Sequence, residues 1–309
     1  MGAGIGRLTG QAARCSGRLQ GGWALLPLVG ADGLLRAARA AGYAVGAFSV
    51  HTPEMVDAVF AAAEARGAPV LLQVGQRAIR HAGLQETASW VVARAARSPV
   101  PAALHLDHSR SWDQVVRALR AGCTSVMFDG SDLPFADNVA ATAAVVRLAH
   151  AAGVPAEGEV GRVGGVEDDP SEDALAARLA SVEQAVRFVQ DTGVDSLAPA
   201  VGNVHGLSDR IPRLDLGRLR VIGEAVAVPL VLHGGSGLDE AQIRAAVAAG
   251  VAKVNVDTEL RHAFLSALRV AVNGPDHADD PYPALAEARR AVAELAQRRI
   301  DTFGSAGRA

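Results

Sequence analysis

From residue 24 onward, short apolar or β-branched runs alternate with longer, alanine-rich amphipathic stretches. A chain shows this alternation when every strand is parallel and buried on both faces, with a helix carrying it back to the start of the next strand. Eight such runs can be read: Ala44 to Val50, Ala68 to Val74, Pro101 to Asp107, Ser125 to Gly130, Val154 to Gly161, Ser196 to Val201, Val228 to Gly234 and Val251 to Asp257. The spacing predicts helices over Pro53 to Arg66, Ser111 to Ala121, Asn138 to Ala152, Val182 to Thr192 and Asp239 to Ala249. They end at Gly67, Gly122, Gly153, Gly193 and Gly250, where a left-handed residue closes a helix. Eight βα units close a barrel, whereas an open doubly wound sheet usually stops at about five or six strands. The expectation is therefore an α/β chain, a single (β/α)8 TIM barrel over residues 23–309, with a C-terminal helical extension from Pro283 to Phe303. Its 309 residues accommodate one such barrel, which takes about 250.

Residues 1–22 stand apart, with Arg7, Arg14 and Arg18, many glycines and no acidic residue, and read as a disordered upstream extension. They hold no apolar run long enough for a secretory signal and no clear amphipathic stripe of the transit-peptide kind. The formal net charge of −3 supplies no basic field for a nucleic acid or an anionic membrane, and the apolar runs are too broken to span a bilayer. Cys15 and Cys123 lie far apart with no CxxC spacing, which fits a reducing compartment, with the cytoplasm as the expected location.

In a barrel of this kind the chemistry sits at the C-terminal ends of the strands. The third run ends in His105-Leu106-Asp107-His108, the fourth in Asp129 and the fifth in Glu157-Gly158-Glu159. The sixth leads to Gly202-Asn203-Val204-His205-Gly206, the seventh to His233-Gly234-Gly235-Ser236-Gly237 and the eighth to Asn255-Val256-Asp257-Thr258. One histidine so placed is ordinarily a satisfied core or surface residue. Several on separate strands, converging on one face with carboxylates, match a catalytic Zn²⁺ site, which uses three protein ligands and keeps a position open. The glycine-rich turn after the seventh run offers backbone N–H groups to an anion, at the place where barrels commonly bind phosphate. Asp107 either orients a ligating histidine or moves protons beside a Lewis acid. Asp129 and Glu159 are alternate metal ligands or loop caps. Glu167, Asp168 and Asp169 form an acidic cluster in the long stretch from Gly161 to Asp195, a solvated loop or a lid over the site.

These residues fall within a wider set of motifs. Tyr43-Ala-Val-Gly-Ala-Phe48, Ala103-Leu-His-Leu-Asp-His108, Ser125-Val-Met-Phe-Asp-Gly-Ser131, Leu133-Pro-Phe135, Gly164-Gly-Val-Glu-Asp168, Val231-Leu-His-Gly-Gly-Ser-Gly237, Lys253-Val-Asn-Val256 and Phe303-Gly-Ser-Ala-Gly307 occur in this order. From about Leu26 to Ala309 the chain resembles the class II fructose-bisphosphate and tagatose-bisphosphate aldolases. The resemblance implies zinc on His108, His205 and His233, with Asp129 and Glu159 at an alternative or second position for a divalent or monovalent cation. It implies Asp107 as the acid/base residue and Glu167 as the base for the substrate carbon. It also implies a dihydroxyacetone phosphate pocket made by Gly206, Gly234, Gly235, Ser236, Asn255, Val256, Asp257 and Thr258. The expected partner is a phosphorylated sugar, and the expected assembly a homodimer or homotetramer.

Two departures bear on the substrate. The family commonly carries asparagine where this chain has His51-Thr52, and serine where it has Gly75. An aldolase for another phosphorylated or sulfonated ketose, a phosphate-binding isomerase or epimerase, and a non-catalytic metal-binding barrel are the competing readings. Lys253, the only lysine in the chain, is the single candidate for a Schiff-base mechanism, and the metal reading is the stronger one.

Overall fold

The computed structural model describes residues 28–165, 179–206, 213–274 and 280–309. Its eight barrel strands are β1 (Val45–Ser49), β2 (Val70–Val74), β3 (Ala102–Ser109), β4 (Ser125–Phe128), β5 (Ala156–Val160), β6 (Ser196–Pro199), β7 (Leu230–Leu232) and β8 (Val251–Val256). They close in the order β1-β8-β7-β6-β5-β4-β3-β2, all parallel. Each expected run thus supplies one strand, most of them shortened at their ends, while β3 runs two residues past its expected end at Asp107 to Ser109. The helices are α1 (Ala31–Ala41), α2 (Pro53–Arg66), α3 (Gln76–His81), α4 (Leu84–Ala95), α5 (Trp112–Arg120), α6 (Phe135–Ala151), α7 (Val182–Thr192), α8 (Leu216–Ala225), α9 (Glu240–Ala248), α10 (Thr258–Val272) and α11 (Pro281–Phe303). Their inner faces pack on the outward-facing apolar residues of the strands, among them Phe48, Leu72, Leu104, Leu106 and Val254. The C-terminal extension is realised as α11, which lies between α2 and α10 and ends with the Phe303 carbonyl accepting from the N–H of Ala44.

The inside of the barrel has two ends of opposite character. Val45, Leu71, Ala103 and Ala252, at the starts of their strands, form an apolar floor on which α1 sets Ala31, Leu35 and Ala38. The floor is a sealed plug. At the other end of the barrel the buried side chains turned toward the mouth are polar: Gln73, His105, Asp107, Glu157, Glu159, His233, Lys253 and Asn255. Beyond the strand ends, a two-residue ribbon pairs Gly164–Gly165 with Val204–His205, Gly165 opposite His205. This ribbon anchors a candidate ligand to the end of β5.

Candidate active site

On a regular strand, Asp107 and His108 would face opposite sides of the sheet. Here the β3–β4 register shifts between Leu106 and Ser109, and His108 has φ of 47°, the one non-glycine positive φ among the described residues. The irregularity turns both side chains toward the mouth, where they line one cavity of about 900 Å³. A left-handed histidine costs about 1–3 kcal/mol, so its surroundings must hold it. Gln76 Nε2 donates to the His108 carbonyl at 3.1 Å, and Gln76 is locked to Gln114 by reciprocal amide bonds of 2.9 Å. Neither glutamine stands out in the sequence, because the bulge they support is a three-dimensional feature.

His108, His205 and His233 converge, with ligand nitrogens within 4.8 Å of one another. Ring centroids are 4.7 Å apart for His108 and His233, and 5.0 Å for His108 and His205. His108 donates through Nδ1 to Asp129 at 3.0 Å, while its Nε2 is buried with no partner among the described residues. An orphaned imidazole nitrogen facing two other imidazoles fits a metal ion, since a buried polar atom rarely stays unsatisfied. His108, Asp129 and Glu159 form a second group of the same compactness, the one expected for an alternative or further cation. His233 lies between two carboxylates, with Nε2 2.9 Å from Glu157 and Nδ1 2.9 Å from Glu159. Burial opposes its charge, but these two bonds win and raise its pKa to about 10. Burial lowers His205 to about 4, aided by the neighbouring imidazoles. The trio thus mixes a ready neutral ligand with one that must give up a proton to bind metal.

Asp107 is not the orienting partner of any of these histidines. Its Oδ1 accepts from Gln73 Nε2 at 3.0 Å and Asn255 Nδ2 at 3.3 Å, while Oδ2 faces Gly75, and the orienting bonds come from Asp129 and Glu157 instead. Burial raises the pKa of Asp107, but the nearby His108, Lys253 and His233 overcome it and hold the group below its ordinary value. The carboxylate is therefore ionised and able to accept a proton. Asp129 is likewise held well below the carboxylate range, burial being outweighed by the bonds to His108 and Ser131.

The anion cradle lies across the mouth. Gly234 has φ of 64°, and a Cβ there would collide with the Val204 carbonyl; one at Gly235 would come within 2.6 Å of the Asn255 oxygen. Only glycine lets these three loops meet. Ser236 Oγ accepts from the N–H groups of Asp257 and Glu259, both at 3.3 Å, tying the turn to the start of α10. Gly206, Gly234, Ser236, Asn255, Asp257 and Thr258 line the cavity; Gly235 and Val256 do not, and the Val256 side chain is buried among the outward-facing core. Glu167, Asp168 and Asp169 lie outside the described residues. Arginines missed in the sequence rim the cavity: Arg110 and Arg162 pair with Asp132, Arg261 pairs with Asp257, and Arg77 and Arg80 have no ionic partner among the described residues. His51, a departure in the sequence, bonds Asp257 at 2.8 Å on the same wall.

Comparison with known proteins agrees with this geometry. A profile of the fructose-bisphosphate aldolase class II family matches residues 29–308. The crystal structure of the YdjI aldolase from Escherichia coli K12 superposes with a TM-score of 0.82 at 33% identity, covering 91% of this chain and 99% of that one. The fructose-bisphosphate aldolase of Campylobacter jejuni shares the fold, with a TM-score of 0.77 at 22% identity over 92% of this chain and 97% of that one. A closed parallel barrel, three converging histidines beside an ionised aspartate, and a family match across nearly the whole chain lead to one assignment: the chain belongs to the class II fructose-bisphosphate aldolase family.

Proposed function

We propose that this aldolase reversibly cleaves a phosphorylated ketose, fructose 1,6-bisphosphate or tagatose 1,6-bisphosphate, into dihydroxyacetone phosphate and an aldehyde such as glyceraldehyde 3-phosphate. The carrying observation is the bulge that turns Asp107 and His108 together into the cavity, beside His205 and His233. His108, through Nε2, with His205 and His233 would hold zinc, and Asp129 and Glu159 a further divalent or monovalent cation. Bound zinc supplies Lewis-acid polarisation of the ketone, the chemistry a Schiff-base lysine supplies elsewhere. Asp107 Oδ2 takes the proton from the hydroxyl on the carbon that becomes the aldehyde, and returns it in the condensation direction. Gln73 and Asn255 keep the carboxylate aimed while it does so. Gly234, Ser236, Gly206 and the residues from Asn255 to Thr258 receive the phosphate of the three-carbon fragment, with backbone N–H groups and the start of α10. Glu167 would exchange the proton on the substrate carbon.

His51 and Gly75 favour a second reading in which the same chemistry acts on another phosphorylated or sulfonated ketose, since both lie at the cavity wall. The exposed Leu265, Val270, Val272 and Tyr282 support a homodimer or homotetramer, checked by light scattering, and the free buried Cys123 is in keeping with the cytoplasm. Among the described residues, no helix is long and apolar enough to cross a membrane. The test is retro-aldol cleavage of a panel of ketose 1-phosphates and bisphosphates, before and after chelation and zinc return. Chelator-sensitive release of dihydroxyacetone phosphate from one sugar identifies the substrate; isomerisation without carbon–carbon cleavage, or tight metal binding with no turnover of any sugar, contradicts the proposal.

A further inference from the structure

Beneath the metal-site histidines lies a buried polar cluster that the proposed chemistry does not use. Lys253 is wholly buried, and its Nζ donates to Glu157 Oε2 at 2.8 Å. Glu157, also buried, accepts at Oε1 from His233 Nε2 at 2.9 Å. His105 completes the group, with Nε2 3.4 Å from Lys253 and Nδ1 2.8 Å from Ser125 Oγ. A buried ion pair gains little stability over well-packed apolar residues, so its presence in the barrel centre asks for another reason.

We infer that Glu157 is a positioning residue for the metal site, held by Lys253 so that it fixes the ring and tautomer of His233. The inference rests on the metal-dependent reading above. Lys253 Nζ and His233 Nε2–H are both donors, and only a carboxylate offers each an acceptor oxygen at this reach. With Nε2 committed as a donor, the lone pair toward a metal must come from Nδ1, the nitrogen that faces Glu159 and the other histidines. Glu157 and Glu159 therefore divide the work: Glu157 orients the ring from below, and Glu159 sits on the metal side. The outer partner of a ligating histidine is commonly worth about 10–100-fold in metal affinity.

Glutamine at 157 has one acceptor oxygen, so its amide must confront either Lys253 or His233 with a second donor. Removing the Lys253 donor frees that oxygen for His233 again. Competition with a chromogenic chelator then gives zinc affinities for four proteins. Glu157→Gln is expected to weaken binding about 10–100-fold. Adding Lys253→Met should recover most of that loss, whereas Glu157→Leu with Lys253→Met, which packs but cannot accept, should stay as weak as Glu157→Gln. Selective ¹⁵N-histidine spectra of the zinc form should show one imidazole protonated at Nε2 and bound through Nδ1, in the wild type and in the rescued double variant only. If Glu157→Gln fails to fold, the two double variants carry no buried charge pair and still decide the matter. Equal zinc affinity in those two, or an unchanged value in a folded Glu157→Gln, overturns the inference. A wild-type protein that binds no zinc removes the metal reading, and this inference with it.

Discussion

The floor and the mouth of this barrel are built from the same strands to opposite rules. At the floor, Val45, Leu71, Ala103 and Ala252 are small or aliphatic and meet the apolar face of α1. At the mouth, one to four residues further along, the strands offer Gln73, His105, Asp107 and Lys253, all buried and all hydrogen-bonded. The floor gains from removing apolar area from water and asks only for volume and fit. The mouth carries a desolvation cost that precise partners must offset, and a strained His108 besides. Stability and chemistry are thus separated along one set of strands, as the barrel fold permits.

The separation can be broken first at the mouth. His205→Ala removes a ligand carried by the ribbon, and should weaken zinc binding by more than the ~10–100-fold typical of losing a supporting partner; cleavage should fall with it, while thermal unfolding of the metal-free protein stays near wild type. Zinc titration and calorimetry check this, and a retained affinity contradicts the ligand assignment. At the floor the pattern should reverse. Leu71→Ala leaves a cavity under α1 and should cost about 2–5 kcal/mol in denaturant unfolding, with zinc affinity and turnover of the folded protein unchanged.

A third test uses pH on the metal-free protein. Burial and Lys253 lower His105 to about 3, so between that value and about 6.5 the unfolded chain binds the proton that the fold refuses, and stability falls as pH drops through this range. His233 works in the other direction. Its pKa, raised to about 10, means the fold binds the extra proton between about 6.5 and 10, so stability falls as pH rises through that window. The unfolding free energy should peak near neutrality, and a curve still rising at pH 9 contradicts the His233 assignment. The smallest effect is expected at Gly75→Ser. Among the described residues an added Cβ there meets only Asp107 Oδ2 at 3.7 Å, so stability should change within about 0.5 kcal/mol. The ratio of kcat/KM between ketoses should shift, which sharpens the choice of substrate.

How far each end could be read from residues alone follows the same division. Strand period, helix-ending glycines and the clustering of His108, His205 and His233 at strand ends are local signals, and each of the eight strands formed where its run lies. The floor plug was not legible, because α1 resembles any amphipathic helix until the starts of four strands converge on it. The bulge was not legible either. Adjacent aspartate and histidine imply opposite faces, and only the register shift with φ of 47° brings them together. Glu157 and Lys253 lie far apart in the chain, and their pairing depends on barrel closure. The support of Asp107 by Gln73 and Asn255, in place of a histidine, depends on the same closure.

The most direct test of the division of labour within the mouth is a side-by-side measurement of zinc content and retro-aldol rate in Asp107→Ala. Stoichiometric zinc on the three histidines is expected, with cleavage reduced about 10²–10⁴-fold, the usual worth of a positioned acid/base group. A variant that cleaves at the wild-type rate, or one that loses its zinc along with its activity, contradicts the assignment of proton transfer to Asp107.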